Sequence, residues 1–184
     1  MPVKWTYTSN YIFMVTRKTY DFKANISNEQ KFKLNRKFEL TRILYNELIL
    51  KTLDFTFALG EYPDFDGLYT TYQNSILVKY PDLKYLSDPV VRYEIRKIQD
   101  FYRDRKDVTY EPGMLGQLSS RSYLLGYSSS IKFIGGSNKV STPWFKKGIS
   151  LSMDKKIEGN IKSAYIKRSR KGAYYITINT EVFG

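Results

Sequence analysis

The 184-residue chain contains no cysteine and no histidine. Without thiols there is no disulfide, and without either residue there is no zinc site of the Cys or His type. Nucleophile pairs of the Ser–His and Cys–His kind are excluded on the same ground. Long apolar runs are missing too: none approaches the roughly 20 residues that cross a bilayer. The opening stretch, MPVKWTYTSNYIFMV, is too polar and too aromatic for the apolar core of a signal peptide. The lack of a signal peptide and of a spanning run leads to the expectation of an intracellular, cytoplasmic protein, prokaryotic or phage-encoded, that does not enter a membrane.

Acidic residues are the other shortage. Asp and Glu number 18 against 30 Lys and Arg, a formal net charge of +12. Such an excess suits a polyanion partner, because each neutralised phosphate releases counterions; it is also what a soluble protein of a Lys-rich proteome shows. Hydrophobic content of 42%, with 16% aromatic, argues for a folded chain with a real core. Seventeen tyrosines and eleven phenylalanines supply rings that can pack in that core or stack on bases.

Residues 11–26 are β-branched and aromatic and predict one or two strands. Ser27, with Gln30 three residues on, forms a capping box that opens a helix running into the high 50s and ending near Gly60. Leu34, Phe38, Tyr45 and Leu48 form its apolar stripe, broadened by Ile43, Leu44 and Ile49. After a turn-rich GEYPDFDG, residues 68–79 predict a short second helix. Asp88 as N-cap with Pro89 behind it starts a third, whose stripe is Val91, Ile95, Ile98 and Tyr102. A Gly- and Ser-rich connection follows, with one strand at 130–134, then a strand in WFKKGISLSM. The chain closes on a hairpin that turns at Ser169-Arg170-Lys171-Gly172. Tyr174 and Tyr175 must point to opposite faces of it, so at most one is core.

No catalytic constellation stands out, and no cofactor is expected. Asp64 and Asp66 read as a solvated turn before they read as metal ligands, and Asp100 and Asp104 as helix-surface ion pairs. FIGGSNK lacks the ending and the following helix of a phosphate loop. The basic residues are better organised. Arg92, Arg96 and Arg103 fall on one face of the third helix, about a third of a turn from its apolar stripe. That face is either an ordinary solvated one, with Glu94 and Asp100 as partners, or a surface for phosphate and base edges. Lys155, Lys156, Lys162, Lys167, Arg168, Arg170 and Lys171 crowd the last strands against only Asp154 and Glu158. A basic hairpin tip can follow a nucleic-acid backbone, although turns are commonly polar in any case.

Four stretches, in order, resemble the N-terminal half of transposon-encoded TnpB proteins and of the type V CRISPR effectors that share their architecture. They are ISNEQKFKLNRKFELTRILYNELI with its Arg42-Ile43-Leu44-Tyr45-Asn46 cluster, LKYLSDPVVRYEIRKIQDFYRD, TPWFKKGISLSM, and IEGNIKSAYIKRSRKGAYYITINTEV. The resemblance implies an α+β fold: a wedge-like β-barrel of the OB kind from residues 1–26 and 127–184, with a helical recognition lobe, 27–126, inserted. It also implies a nucleic-acid-binding module that contacts guide RNA, target duplex DNA or both. By position, Tyr69, Tyr72, Asp88 and Arg92 correspond to the surface that faces the DNA duplex. In the family this hairpin leads into a RuvC-like nuclease, whose first strand would begin at Val182-Phe183-Gly184, so no cleavage activity is expected of this chain. Two departures stand: DVTYEPGMLGQ replaces a Lys-rich family stretch, and Arg92 occupies a position where relatives often carry Gln. The alternative, from another class, is a phage or mobile-element regulator or inhibitor that binds a protein partner such as a nuclease or polymerase.

Overall fold

The structure, a computed structural model, describes residues 15–103, 121–127, 130–135 and 137–183. Strand β1 (Val15–Asn25) is followed by the long helix α1 (Asn28–Leu59), then by α2 (Phe65–Thr71). Helix α2 continues without a break through a π-helical turn (Tyr72–Ile76) into a last turn (Leu77–Lys79). A 3₁₀ turn (Pro81–Tyr85) leads to α3 (Asp88–Arg103). Six strands complete the chain: β2 (Arg121–Tyr127), β3 (Lys132–Phe133), β4 (Lys139–Thr142), β5 (Phe145–Ser152), β6 (Asn160–Arg168) and β7 (Tyr174–Phe183).

The strands make one seven-stranded antiparallel sheet in the order β2-β6-β7-β1-β5-β4-β3. Strands from both ends of the described chain therefore meet at its centre, as expected. The expected barrel is not what forms: the order is open, and β2 and β3 are edges that do not pair with each other. β3 is only two residues long, too short to carry a closing ladder. A second correction is β2, which lies in the stretch read as a Gly- and Ser-rich connection. Its SSRSYLLGY neighbourhood conceals the alternation, because the register shifts between Leu124 and Gly126.

The helix boundaries follow the local signals. Ser27 accepts a bond from the Gln30 backbone N–H at 3.2 Å, and the Gln30 side chain accepts one from the Ser27 N–H at 3.0 Å. Gly60 closes α1 with φ 73°, a left-handed conformation costly for any residue with a Cβ. Leu34, Phe38, Leu44, Leu48 and Ile49 are buried, and Leu40 joins them, while Tyr45 and Ile43 are half-buried at the margin. On α3 the whole expected stripe, Val91, Ile95, Ile98 and Tyr102, is buried.

One sheet face carries Phe22, Ile176 and Ile166 in a row across β1, β7 and β6, with Ile178 and Ala164 beside them; all five are buried. Burial of each large side chain contributes about 1.5–3 kcal/mol. Phe38 of α1 meets this face, edge-on to Tyr123 and stacked with Tyr174, both with centroids 6.4 Å away. Asn35, one turn earlier, accepts hydrogen bonds from the Arg168 guanidinium at 2.6 Å and the Tyr174 hydroxyl at 3.1 Å. Arg168 and Tyr174 are directly paired across β6 and β7, so a single amide ties α1 to the closing hairpin.

Two buried carboxylates on the helices have lysine partners, one between helices and one within α3. Glu47 on α1 is met by Lys79 Nζ at 2.9 Å and by the Tyr80 hydroxyl at 2.8 Å. Glu94 on α3 is fully buried and meets Lys97 Nζ at 2.8 Å through one oxygen, while its Oε1 has no hydrogen-bond partner. Burial pushes the Glu94 carboxyl above its usual range, against the pull of the Lys97 ammonium. A raised carboxyl contributes stability that is complete below the ordinary carboxylate range and is lost as pH rises through the raised value. Lys97→Met should therefore destabilise the fold at neutral pH by about 1–2 kcal/mol, because it strips the buried charge of its partner. The deficit should shrink towards about pH 4 as Glu94 takes up a proton. Urea unfolding at both pH values checks this, and a deficit that stays constant would exclude the Glu94 charge as its cause.

Candidate functional site

Two groups of candidates come together in space, and two residues leave them. The first group sits where α2 meets the start of α3. The backbone N–H groups of Val90 and Val91 both donate to the Ser87 carbonyl, at 2.9 and 3.2 Å. Ser87 is thus the N-cap position, and Asp88, expected there, is the first helical residue. Its carboxylate is consequently available for side-chain partners. The Tyr69 hydroxyl donates to Asp88 Oδ1 at 2.5 Å, and Arg92 Nε donates to Oδ2 at 2.6 Å. The Arg92 guanidinium lies over the Tyr69 ring, 4.5 Å from its centroid. Both Arg92 and Arg96 also lie over Phe65, at 5.6 and 5.8 Å.

The Tyr69 hydroxyl, and then Arg92, hold the Asp88 carboxyl below its usual range. The same bonds raise Tyr69 and Arg92, so Arg92 is a fixed cation with a set orientation. The solvated-face reading named Glu94 and Asp100 as the arginines' partners. Asp100 does pair with Arg103, at 2.9 Å, whereas Glu94 is buried with Lys97, and Arg92 uses Asp88. Arg96 and Arg103 flank a cleft of about 490 Å³ floored by Thr52, Leu68 and Tyr102. Tyr72 does not belong to this surface: it is 7% exposed and packs in the core, 6.2 Å from the Tyr69 ring. It stands four residues after the buried Leu68, on the same inward side of the helix.

The second group lies on the sheet face opposite the core. Lys23, Tyr175 and Lys167 are directly opposed on β1, β7 and β6. Side chains so paired stand about 5 Å apart on one face, and all three are exposed, Tyr175 by 38%. The alternation rule thus holds, with Tyr174 buried and Tyr175 out. Lys167 Nζ is 3.8 Å from Asp21, its nearest acid. Beyond this row the chain turns through Ser169–Gly172, closed by the Gly172 N–H on the Ser169 carbonyl at 3.0 Å. Gly172 has φ 79°, and Arg170 and Lys171 project exposed from the tip. Arg168 is the second departure, because it points to the core face, where Asn35 and the Phe38 ring hold it. Lys155 lines a shallow cleft along β1 with Lys18 and Asp21, and Lys156 beside it is exposed.

Asp64 is accounted for structurally, since its carboxylate caps α2 by accepting from the Gly67 N–H at 2.7 Å. Asp104 and the DVTYEPGMLGQ segment lie outside the described residues. The sequence reading missed Phe65, the ring shared by two arginines. Its spacing gives the signal: Phe65 and Tyr69 are four residues apart, facing Arg92 and Arg96 at the same interval. It also missed Lys23 and Tyr175 as a row with Lys167, which no linear pattern reveals. Compared with known proteins, the sequence matches no protein-family model and no curated protein.

A carboxyl held low contributes to its cluster above its ordinary range, and the contribution is lost as pH falls through the lowered value. Tyr69→Phe removes the larger cause of the lowering and should move the Asp88 titration midpoint upward, towards the ordinary value. NMR titration of the side-chain carboxyls reads this directly. An unmoved midpoint would show that the Tyr69 bond does not hold Asp88.

Proposed function

We propose that this chain binds nucleic acid, with the sheet row Lys23–Tyr175–Lys167 and the Arg170–Lys171 tip as its main backbone-contacting surface. The carrying observation is the exposed Tyr175 ring held between two lysines on neighbouring strands. A ring offers a face for stacking, and the flanking ammonium groups offer positive charge to phosphates on either side of it. The net charge of +12 supports this reading by drawing any polyanion to the surface.

The Arg92–Arg96 pair over Tyr69 and Phe65 is the proposed second contact. Asp88 fixes the Arg92 fork, which favours directional bonds to base edges or phosphate over diffuse attraction. Its charge is half spent on Asp88, so it contributes orientation more than affinity. Within the resemblance to TnpB-like proteins, these surfaces would belong to a module that holds guide RNA, target DNA or both, without cleaving them. A protein partner is the competing reading, and the salt response separates the two.

Binding of a labelled duplex or structured RNA should weaken steeply with salt, each phosphate contact adding about 0.7–0.9 to the log–log slope. Arg170→Ala with Lys171→Ala should lower that slope by about 1–2 and weaken all sequences alike. Arg92→Ala should instead narrow the gap between preferred and other sequences. Fluorescence anisotropy across a salt series checks both, and an affinity indifferent to salt would sink the proposal.

A further inference from the structure

An apolar groove beside α1 is not used by either surface. Its volume is about 340 Å³, and it lies between α1, the 3₁₀ turn and the β4–β5 turn. Three rings stand exposed at its rim: Phe32 by 79%, Tyr85 by 55% and Trp144 by 39%. Trp144 occupies the tight turn between β4 and β5, where Thr142 pairs with Phe145. It also lines a second cleft of about 340 Å³, with Lys146 and Lys147. The indole therefore lines two adjoining recesses.

The polar groups around these recesses are mostly cationic. Lys33, Arg36, Lys37, Lys146 and Lys147 line them. Glu29 pairs with Lys33 at 2.6 Å, and Asp82 pairs with Arg36. Five cations against two acids leave an excess of three. Lys37 is the least ordinary of them. Its ammonium lies over the Trp144 ring, 3.7 Å from the centroid, and donates to the Tyr85 carbonyl, and among the described residues no carboxylate pairs with it. Its charge sits at the mouth of an apolar recess and is only half-solvated, a state an incoming anion relieves.

The floor supplies the last observation. Tyr123 lines the groove and is 1% exposed, yet its hydroxyl has no hydrogen-bond partner. A buried polar atom left unpaired costs free energy, and a ligand with a polar edge repays it. A hydrocarbon chain satisfies neither Tyr123 nor the cations. A planar, polar-edged group attached to an anion satisfies both.

We infer that this groove takes an unpaired nucleobase of a single-stranded nucleic acid, stacked on Trp144 in place of the Lys37 ammonium, which turns with Lys33 and Lys147 to the phosphates. Its occupant is single-stranded because only an unstacked base offers both faces to an apolar slot. The inference rests on the nucleic-acid reading above and adds a base-binding slot distinct from the sheet row and the arginine pair.

The chain has a second tryptophan, Trp5, so Trp5→Phe leaves Trp144 as the sole indole reporter. In this background, a thymidine oligonucleotide of about fifteen nucleotides should quench Trp144 emission to saturation. Inorganic polyphosphate, which carries the charge but no bases, and blunt duplex DNA should leave the emission nearly unchanged. Anisotropy of the labelled oligonucleotide should show Trp144→Ala binding about tenfold more weakly, with Trp144→Phe close to the parent. Should the oligonucleotide bind with unquenched Trp144 and an unchanged Kd in Trp144→Ala, the slot is overturned while nucleic-acid binding stands. Equal quenching by polyphosphate or duplex overturns the single-stranded base as occupant. Quenching by an acidic aromatic peptide, and not by the oligonucleotide, assigns the groove to a protein partner. No binding of any nucleic acid removes this inference together with the reading it rests on.

Discussion

The antiparallel pairing of β1 with β7 is the constraint on which the rest depends. It runs from Val15 opposite Phe183 to Ala24 opposite Tyr174, joining segments at the two ends of the described chain. Loop closure over such a separation is entropically costly, and the row Phe22–Ile176–Ile166 offsets it by burying three large side chains together. A slip of one residue would turn that row outward and bring Tyr175 and the lysines inward. The register therefore decides the core and the charged face in one step.

Everything between the two strands is arranged by where they meet. Helix α1 leaves the end of β1 and lies on the buried face, with Phe38 against Tyr123 and Tyr174. Asn35 then binds Arg168 and Tyr174, a cross-strand pair, so the helix anchors the hairpin near its turn. This anchoring explains why neighbouring basic residues differ so much. Lys167 and Arg168 are consecutive, yet one stands on the open face and the other serves as a strut under α1. Charge counted along the chain overstates the open surface by the share that packing consumes.

The helices divide their charges by the same logic. Glu47 and Glu94 are buried carboxylates with lysine partners, the first joining α1 to the end of α2 and the second paired within α3. Asp88, by contrast, is spared from capping by Ser87 and orients Arg92 against Tyr69. A cation fixed in this way keeps its direction at the cost of part of its charge. The sheet row and the hairpin tip are anchored less, since Lys23 and Lys171 are exposed and Lys167 has Asp21 only at 3.8 Å. The two surfaces thus differ physically, one presenting an oriented guanidinium and the other exposed ammonium groups.

Sequence by itself determined what depends on neighbours in the chain. The capping box at Ser27, the Gly60 stop, the α3 stripe and the opposite faces of Tyr174 and Tyr175 all follow from local geometry and periodicity. Tertiary structure alone decided the features that need distant partners. These are the open order of the sheet, the bulged strand β2, the burial of Tyr72, the capture of Arg168 by Asn35, and the row Lys23–Tyr175–Lys167. Trp144 over Lys37 belongs with them, since an indole on a strand turn meets a helix lysine only once the sheet and α1 are packed. Local backbone preference reaches about three or four residues, whereas these contacts are set by register and packing between segments far apart in the chain.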